Sequence, residues 1–203
     1  MIDNSSAEKQ YQSLLYSSKV VTDNYDYLVK FCEQLHKRHQ YLMPGESSSW
    51  TYSKYNFFTL MGSDVIVWKL LKELKIMIVD YLNKHNESTE SIWIESWLNY
   101  HTPQQLLKDL PWHNHVEVKL HGYISIRPHD TKTIFFESSK VIDNKVGTVM
   151  IGPGANYHKV EIVEPFDTPR ITIAFDIHNG NYEMNLLDLP VDACYNSNYI
   201  PLV

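Results

Sequence analysis

Residues 109–126 read DLPWHNHVEVKLHGYISI, and His113, His115 and Glu117 fall in them at every second position. Imidazole and carboxylate side chains are the common protein ligands of divalent transition metals. In an extended segment this alternation puts the three on one face. The alpha carbons of His113 and His115 would then lie about 6.5–7 Å apart, a gap that two imidazoles bridge through one ion. Glu117 would stand about 13 Å from His113 along a straight strand, so it reaches the same ion only across a bulge. A lone His-x-His pair also recurs by chance on exposed strand edges. A cupin-like site would place a glutamate a few residues after the second histidine, where this chain has Lys119 and Leu120.

Further ligands must come from elsewhere, and MIGPGANYHKVEIVEPFDTPRITIAFDI supplies candidates. A strand ends in the turn Gly152-Pro153-Gly154, His158 opens the next strand, and Arg170 follows twelve residues later. Period-two alternation puts Arg170, Thr172 and Ala174 on one face and Ile171, Ile173 and Phe175 on the other. An inward guanidinium fork beside a hydroxyl is a carboxylate receptor. The competing placement is a strand mouth just after Pro169, with the guanidinium in water. Asn99 in SWLNY, and Tyr123 and Ser125 on one face of GYISI, are polar positions that either contact a ligand or are satisfied within the core. His101, His121, His129 and His178 read as surface residues or as residues backing the ligands, and Trp97 and Trp112 as core.

Elements that would hold these groups are visible upstream and around them. Thr22 is a candidate cap for a helix bearing Tyr25, Leu28, Val29, Cys32 and Leu35 at helical spacing, and ending near HKRHQ. A second helix is predicted to start at Ser63-Asp64, since Val67, Leu70, Leu71, Leu74, Met77, Ile78, Tyr81 and Leu82 form one apolar stripe. From residue 91 short runs separated by Gly, Pro, Asn and Asp predict strands in SIWIESWLNY, VEVKLHGYISIRP, TKTIFFES, GTVMIGPG, HKVEIVEP and RITIAFDI, the pattern of a sandwich or barrel. The reading is therefore a single domain. Residues 1–90 are mainly helical, 91–178 form the β core, and 179–203 are a tail over its outside.

The chain has 203 residues, a formal net charge of -6, 43% hydrophobic and 13% aromatic residues, which suits one globular domain with a sizeable core. The apolar stretch Val65–Leu82 carries Lys69, Lys72, Glu73, Lys75 and Asp80, which argues against a membrane span. No Lys/Arg stripe marks a nucleic-acid surface. Two cysteines, Cys32 and Cys194, make no disulfide framework, and the first residues lack a basic start and apolar run, so a cytoplasmic location is expected.

SWLNYHTP, WHNH followed by LHGYISI, GTVMIGPGANYHKV and PRITIAFDI together resemble the iron(II)- and 2-oxoglutarate-dependent oxygenases, in particular their small bacterial and phage-type group. The resemblance covers roughly residues 90–178, and SSSWTY with the long helix resembles the part upstream. It implies an α+β fold with a double-stranded beta-helix (jelly-roll) core and N-terminal helices packed on one sheet. It also implies Fe(II) as metal and 2-oxoglutarate as cosubstrate. His113 and His158 match the family's two histidines, Arg170 its cosubstrate arginine, and Thr172 the companion hydroxyl; Asn99, Tyr123 and Ser125 become further cosubstrate contacts. The triad is ordinarily two histidines and a carboxylate, but His115 stands at the carboxylate position. His115 ranks first as third ligand and Glu117 second. The implied activity is hydroxylation of a peptidyl or small-molecule substrate. Two other readings stay open, a silent metal- or acid-binding module and a cupin-like metal-dependent isomerase or hydrolase.

Overall fold

The computed structural model describes residues 12–42, 56–115, 118–179 and 199–202. Its core is two antiparallel sheets. The larger is built from β1 (Leu14–Ser17), β2 (Ile92–His101), β3 (Leu120–Arg127), β6 (Thr148–Pro153), β8 (Arg170–Asn179) and β9 (Ile200–Pro201), in the order β1-β6-β3-β8-β2-β9. The smaller holds β4 (Thr131–Phe135), β5 (Val141–Asp143) and β7 (His158–Ile162), in the order β5-β4-β7. Helices α1 (Lys19–Asp23), α2 (Tyr25–Leu42) and α3 (Val65–Lys84), with a 3-10 turn over Phe57–Gly62, form one apolar core with the large sheet. Among the described residues no helix is long and apolar enough to cross a membrane.

The α3 stripe is buried as its periodicity requires: Val67, Leu70, Leu71, Leu74, Ile78, Tyr81 and Leu82 are core, and Met77 packs against them. Asp64 caps α3, its carboxylate accepting from Ile66 and Val67 amides at 2.9 Å each. The start of the first helix differs from the expectation. The helix bearing Tyr25 begins only at Tyr25, and a separate short helix, α1, precedes it; Ser18 caps α1, its hydroxyl accepting from the Val21 amide at 3.1 Å. Thr22 lies inside α1 and donates back to the Lys19 carbonyl at 3.1 Å, a bond open to a threonine within a helix.

Facing the helices, the large sheet presents Ile92, Ile94 and Leu98 of β2, Leu120, Ile124 and Ile126 of β3, Val149 and Ile151 of β6, and Ile171, Ile173, Phe175 and Ile177 of β8. The opposite face looks onto the small sheet across a cleft. A small apolar cluster of Tyr123, Phe135, Ile142 and Met150 closes one part of the gap. Tyr123 also ties the sheets by hydrogen bonds, donating to Asn144 at 2.7 Å and meeting the Thr133 hydroxyl at 2.9 Å.

Three short elements were not read from the sequence. The N-terminal part contributes a strand, β1, to the large sheet beside β6. The tail returns as β9 on the open edge of β2, and Leu202 joins the main core. Helix α4 (Pro103–Asp109) interrupts the strands, started by a capping box between Thr102 and Gln105 with Pro103 in the first turn. Strands β1 and β9 were hidden because a short edge strand shows too few alternations to stand out from a loop, and α4 because seven residues show barely two helical turns.

Gly122 allows β3 to lie flat under Phe175. A Cβ there would meet the Met150 carbonyl oxygen and the Phe175 ring at 2.3 Å each. The carbonyl belongs to the paired strand β6 and cannot swing away. Gly122→Ala should therefore lower stability by about 3 kcal/mol, the upper end of ordinary overpacking costs; urea denaturation of the two proteins checks it, and an unchanged midpoint contradicts this packing.

Candidate metal centre

The cleft face is a lattice set by strand register. Across β2, β8 and β3, Asn99 pairs with Thr172 and Thr172 with Ser125; Trp97 pairs with Ala174 and Ala174 with Tyr123; Asp176 pairs with His121; His101 pairs with Arg170. Neighbours in a row stand about 4.5–5.5 Å apart. Arg170, Thr172 and Ala174 thus share one wall of a cleft of about 400 Å³, part of it open to solvent, and Asp176 follows on the same strand face behind His115 and His121.

His113 and His115 are not on a long strand. Strand β3 starts only at Leu120, and His113 makes a single bridge to His158, with amide-to-carbonyl bonds of 3.0 and 2.8 Å in the two directions. The His115 amide donates to the Gly154 carbonyl at 2.7 Å. Gly154 makes that approach possible, since a Cβ there would lie 2.4 Å from the His115 carbonyl oxygen. Two backbone anchors therefore do what strand alternation was expected to do.

One ring nitrogen from each of His113, His115 and His158 lies within 4.8 Å of the other two. Every Nδ1 in the cluster faces an acceptor: the Pro111 carbonyl at 2.7 Å for His113, Asp176 Oδ2 at 3.0 Å for His115, and the Asn156 carbonyl at 2.9 Å for His158. Nδ1 therefore carries the proton in each, and Nε2 keeps its lone pair. The Nε2 of His115 is buried with no hydrogen-bond partner. A buried acceptor left unsatisfied costs about 1–3 kcal/mol, and this donor set fits a divalent transition metal that would satisfy it. Glu117, the second choice for the third ligand, lies outside the described residues.

Two residues here were not singled out as part of a site. His121, expected at the surface or behind the ligands, is 6% exposed and lies face to face with His115, ring centres 3.7 Å apart. Its Nδ1 donates to Asp176 Oδ1 at 2.7 Å, while His115 holds the other oxygen of the same carboxylate. Asp176 was legible: carrying the Arg170, Thr172, Ala174 alternation one step further reaches it.

Of the remaining expected residues, Arg170 is 2% exposed although it opens β8, so the water-facing placement is excluded. Its Nη1 donates to Thr172 Oγ1 at 3.3 Å and its Nε has no acceptor. Asn99 Oδ1 and Ser125 Oγ, in the Thr172 row, are buried without partners among the described residues. Trp97 is buried and walls the cleft beside His115 and His121. Trp112 is not core. It is 36% exposed and stacks on Tyr157 on the face away from the histidine rings, because the residue preceding an inward His113 points outward.

Electrostatics follow burial. Burial, then the neighbouring histidines, hold His158 well below the ordinary imidazole range and bring His121 down to about 4; burial also lowers His113. Burial alone would raise the Asp176 carboxyl, but hydrogen bonds from His115 and His121 outweigh it and leave the group well below its usual value. Arg170 is pushed down to about 10 by burial and stays charged at neutral pH.

No family model and no curated protein matches the chain. Solved structures do. The non-heme monooxygenase ThoJ, in its apo form, is 9% identical, with a TM-score of 0.50 over 87% of this chain and 77% of that one. A Pseudomonas putida prolyl-4-hydroxylase is 11% identical, at 0.48 over 83% and 88%. An oxidoreductase of the 2OG-Fe(II) oxygenase family from Burkholderia pseudomallei is 12% identical, at 0.38, and the chain spans 50% of its length. The likeness to ThoJ is one of fold.

The depressed imidazoles make stability depend on pH with a definite sign. Between pH 6.5 and about 4 the unfolded chain takes up protons that His121, His113 and His158 refuse when folded, so the metal-free protein is most stable above pH 6.5 and loses stability as pH falls. A shift as large as that of His121 corresponds to about 3 kcal/mol across that window. Asp176 adds its own loss only below its ordinary value of 3.8. Melting of metal-free protein at pH 7.5, 6 and 5 should show a steady fall, and a flat profile contradicts neutral buried rings.

Proposed function

We propose that the chain is a non-haem Fe(II)- and 2-oxoglutarate-dependent oxygenase on a double-stranded β-helix, with iron held by His113, His115 and His158. The observation that carries this reading is Arg170. A charged guanidinium lies buried in the same cleft as the three imidazoles, and among the described residues no carboxylate pairs with it. An uncompensated buried charge is costly by several kcal/mol, and an anionic ligand removes that cost. A dicarboxylate with one end at the metal and the other at Arg170 answers both features with one molecule.

The surrounding groups suit that ligand. Thr172 Oγ1 accepts from Arg170, so its own proton is left to donate to a carboxylate. Ser125 and Asn99 flank it in register, each with an unpartnered oxygen. Tyr123 lines the wall with its hydroxyl already engaged by Asn144 and Thr133. Trp97, Leu110 and Val160 cover the cleft with apolar surface and limit water. Bound iron would supply the oxidising chemistry, in which 2-oxoglutarate and O2 yield succinate, CO2 and a hydroxylated peptidyl or small-molecule substrate. The chain itself orients the imidazoles through their Nδ1 protons and anchors the cosubstrate.

One observation favours a second reading. A carboxylate-free ligand set at His115 suits a module that binds metal and acid without turnover. Succinate release in a substrate screen separates the two.

His158→Ala should abolish Fe(II) binding, because it leaves only the two histidines of one loop; unchanged iron affinity removes His158 from the site. Arg170→Leu should keep iron yet weaken 2-oxoglutarate binding at least a hundredfold, equivalent to about 2.7 kcal/mol. Arg170→Lys should recover part of that, since a point charge cannot form two parallel bonds. Anaerobic calorimetry, together with the visible charge-transfer band of the iron and 2-oxoglutarate complex, reads both. Parent-like affinity in Arg170→Leu rejects the cosubstrate assignment.

A further inference from the structure

No lysine or arginine among the described residues pairs with Asp176. Among the described residues its partners are two imidazole N–H groups, from His115 at 3.0 Å and His121 at 2.7 Å. Glu95, across β2 in the same row, lies 3.6 Å from His178 and brings no positive charge toward it. A carboxylate 6% exposed whose bonds come from two imidazole N–H groups is a buried acid facing the back of His115. On the other side of the His115 ring its Nε2 has no hydrogen-bond partner among the described residues, and His115 offers one ring nitrogen within 4.8 Å of one from His113 and one from His158.

We propose that Asp176 supplies, through the ring of His115, the negative charge that a metal held by three neutral imidazoles lacks. This rests on the metal centre of the proposed function. Two histidines and a bonded carboxylate leave a divalent ion with net charge +1; three imidazoles leave +2, and Asp176 behind one of them restores +1. The carboxylate has moved one imidazole outward, and His121 fixes it there by gripping its second oxygen. Asp176 is thus a positioning and charge-balancing residue that sets the tautomer of His115 and strengthens it as a donor.

The test uses Co(II) alone, without 2-oxoglutarate or oxygen, on the full chain. Asp176→Asn removes the charge with little change of shape, and should weaken Co(II) binding tenfold to a hundredfold. A second change, His115→Asp, made in the Asp176→Asn background returns a carboxylate to the ligand position, and should recover most of that loss. A merely structural Asp176 predicts the opposite, a double variant weaker than either single one. Zn(II) bound to the unmodified chain should move the His115 Nδ1 proton resonance downfield as its hydrogen bond to Asp176 shortens, a readout that needs no variant to fold. Parent-like Co(II) affinity in Asp176→Asn, failure of the double variant to recover, or an unmoved resonance each overturns this inference while leaving the three-histidine centre in place. If the unmodified chain binds neither metal, the centre and this inference fall together.

Discussion

Strand β8 is paired along one edge with β2 and along the other with β3, and this double pairing is the constraint on which the rest depends. With both edges occupied, its residues can only alternate. Ile171, Ile173, Phe175 and Ile177 enter the helix-covered core at 0% exposure, Arg170 and Thr172 line the cleft, and Asp176 on the same face backs His115 and His121. A slip of one residue would drive a guanidinium and a carboxylate into hydrocarbon and turn four apolar side chains toward the cleft. Register and site are therefore one requirement. The hydrophobic burial that holds the helices on the sheet also aims the charged groups.

The two buried charges on β8 have opposite sign and lie six residues apart, about 20 Å along an extended backbone. They do not neutralise each other. Asp176 is stabilised by two donors from inside the fold, whereas Arg170 has only the Thr172 hydroxyl among the described residues. The cleft thus has an end that attracts a cation and an end that attracts an anion, with small or polar groups between. In the proposed function these ends receive the metal and the far carboxylate of the cosubstrate.

The loop that carries His113 and His115 gets its shape from contacts outside itself. A bridge to His158 and a bond to Gly154 hold it against the turn between β6 and β7, so the three imidazoles converge even though only one lies within a strand. Gly154 and Gly122 matter for the same reason: each lies where another segment occupies the space of a side chain.

Much of this was legible in the chain. The grouping of His113, His115, His158, Arg170 and Thr172 is what the family resemblance implied, and helix α3 with its buried stripe and strands β2, β4, β6, β7 and β8 follow from local period, because alternation and helical spacing are written in consecutive residues. Asp176 lay within reach of the same rule. Strands β1, β5 and β9 and helix α4 were less visible, being short. The inward turn of His121, the outward turn of Trp112 and the burial of Arg170 depend on which strands pair and in what register. By itself the sequence determined which groups were available for chemistry and which faces had to be apolar. Only the tertiary structure decided that His115 and His121 share one carboxylate while Arg170 pairs with none among the described residues, because a hydrogen bond between residues more than fifty positions apart is set by packing and carries no local signature.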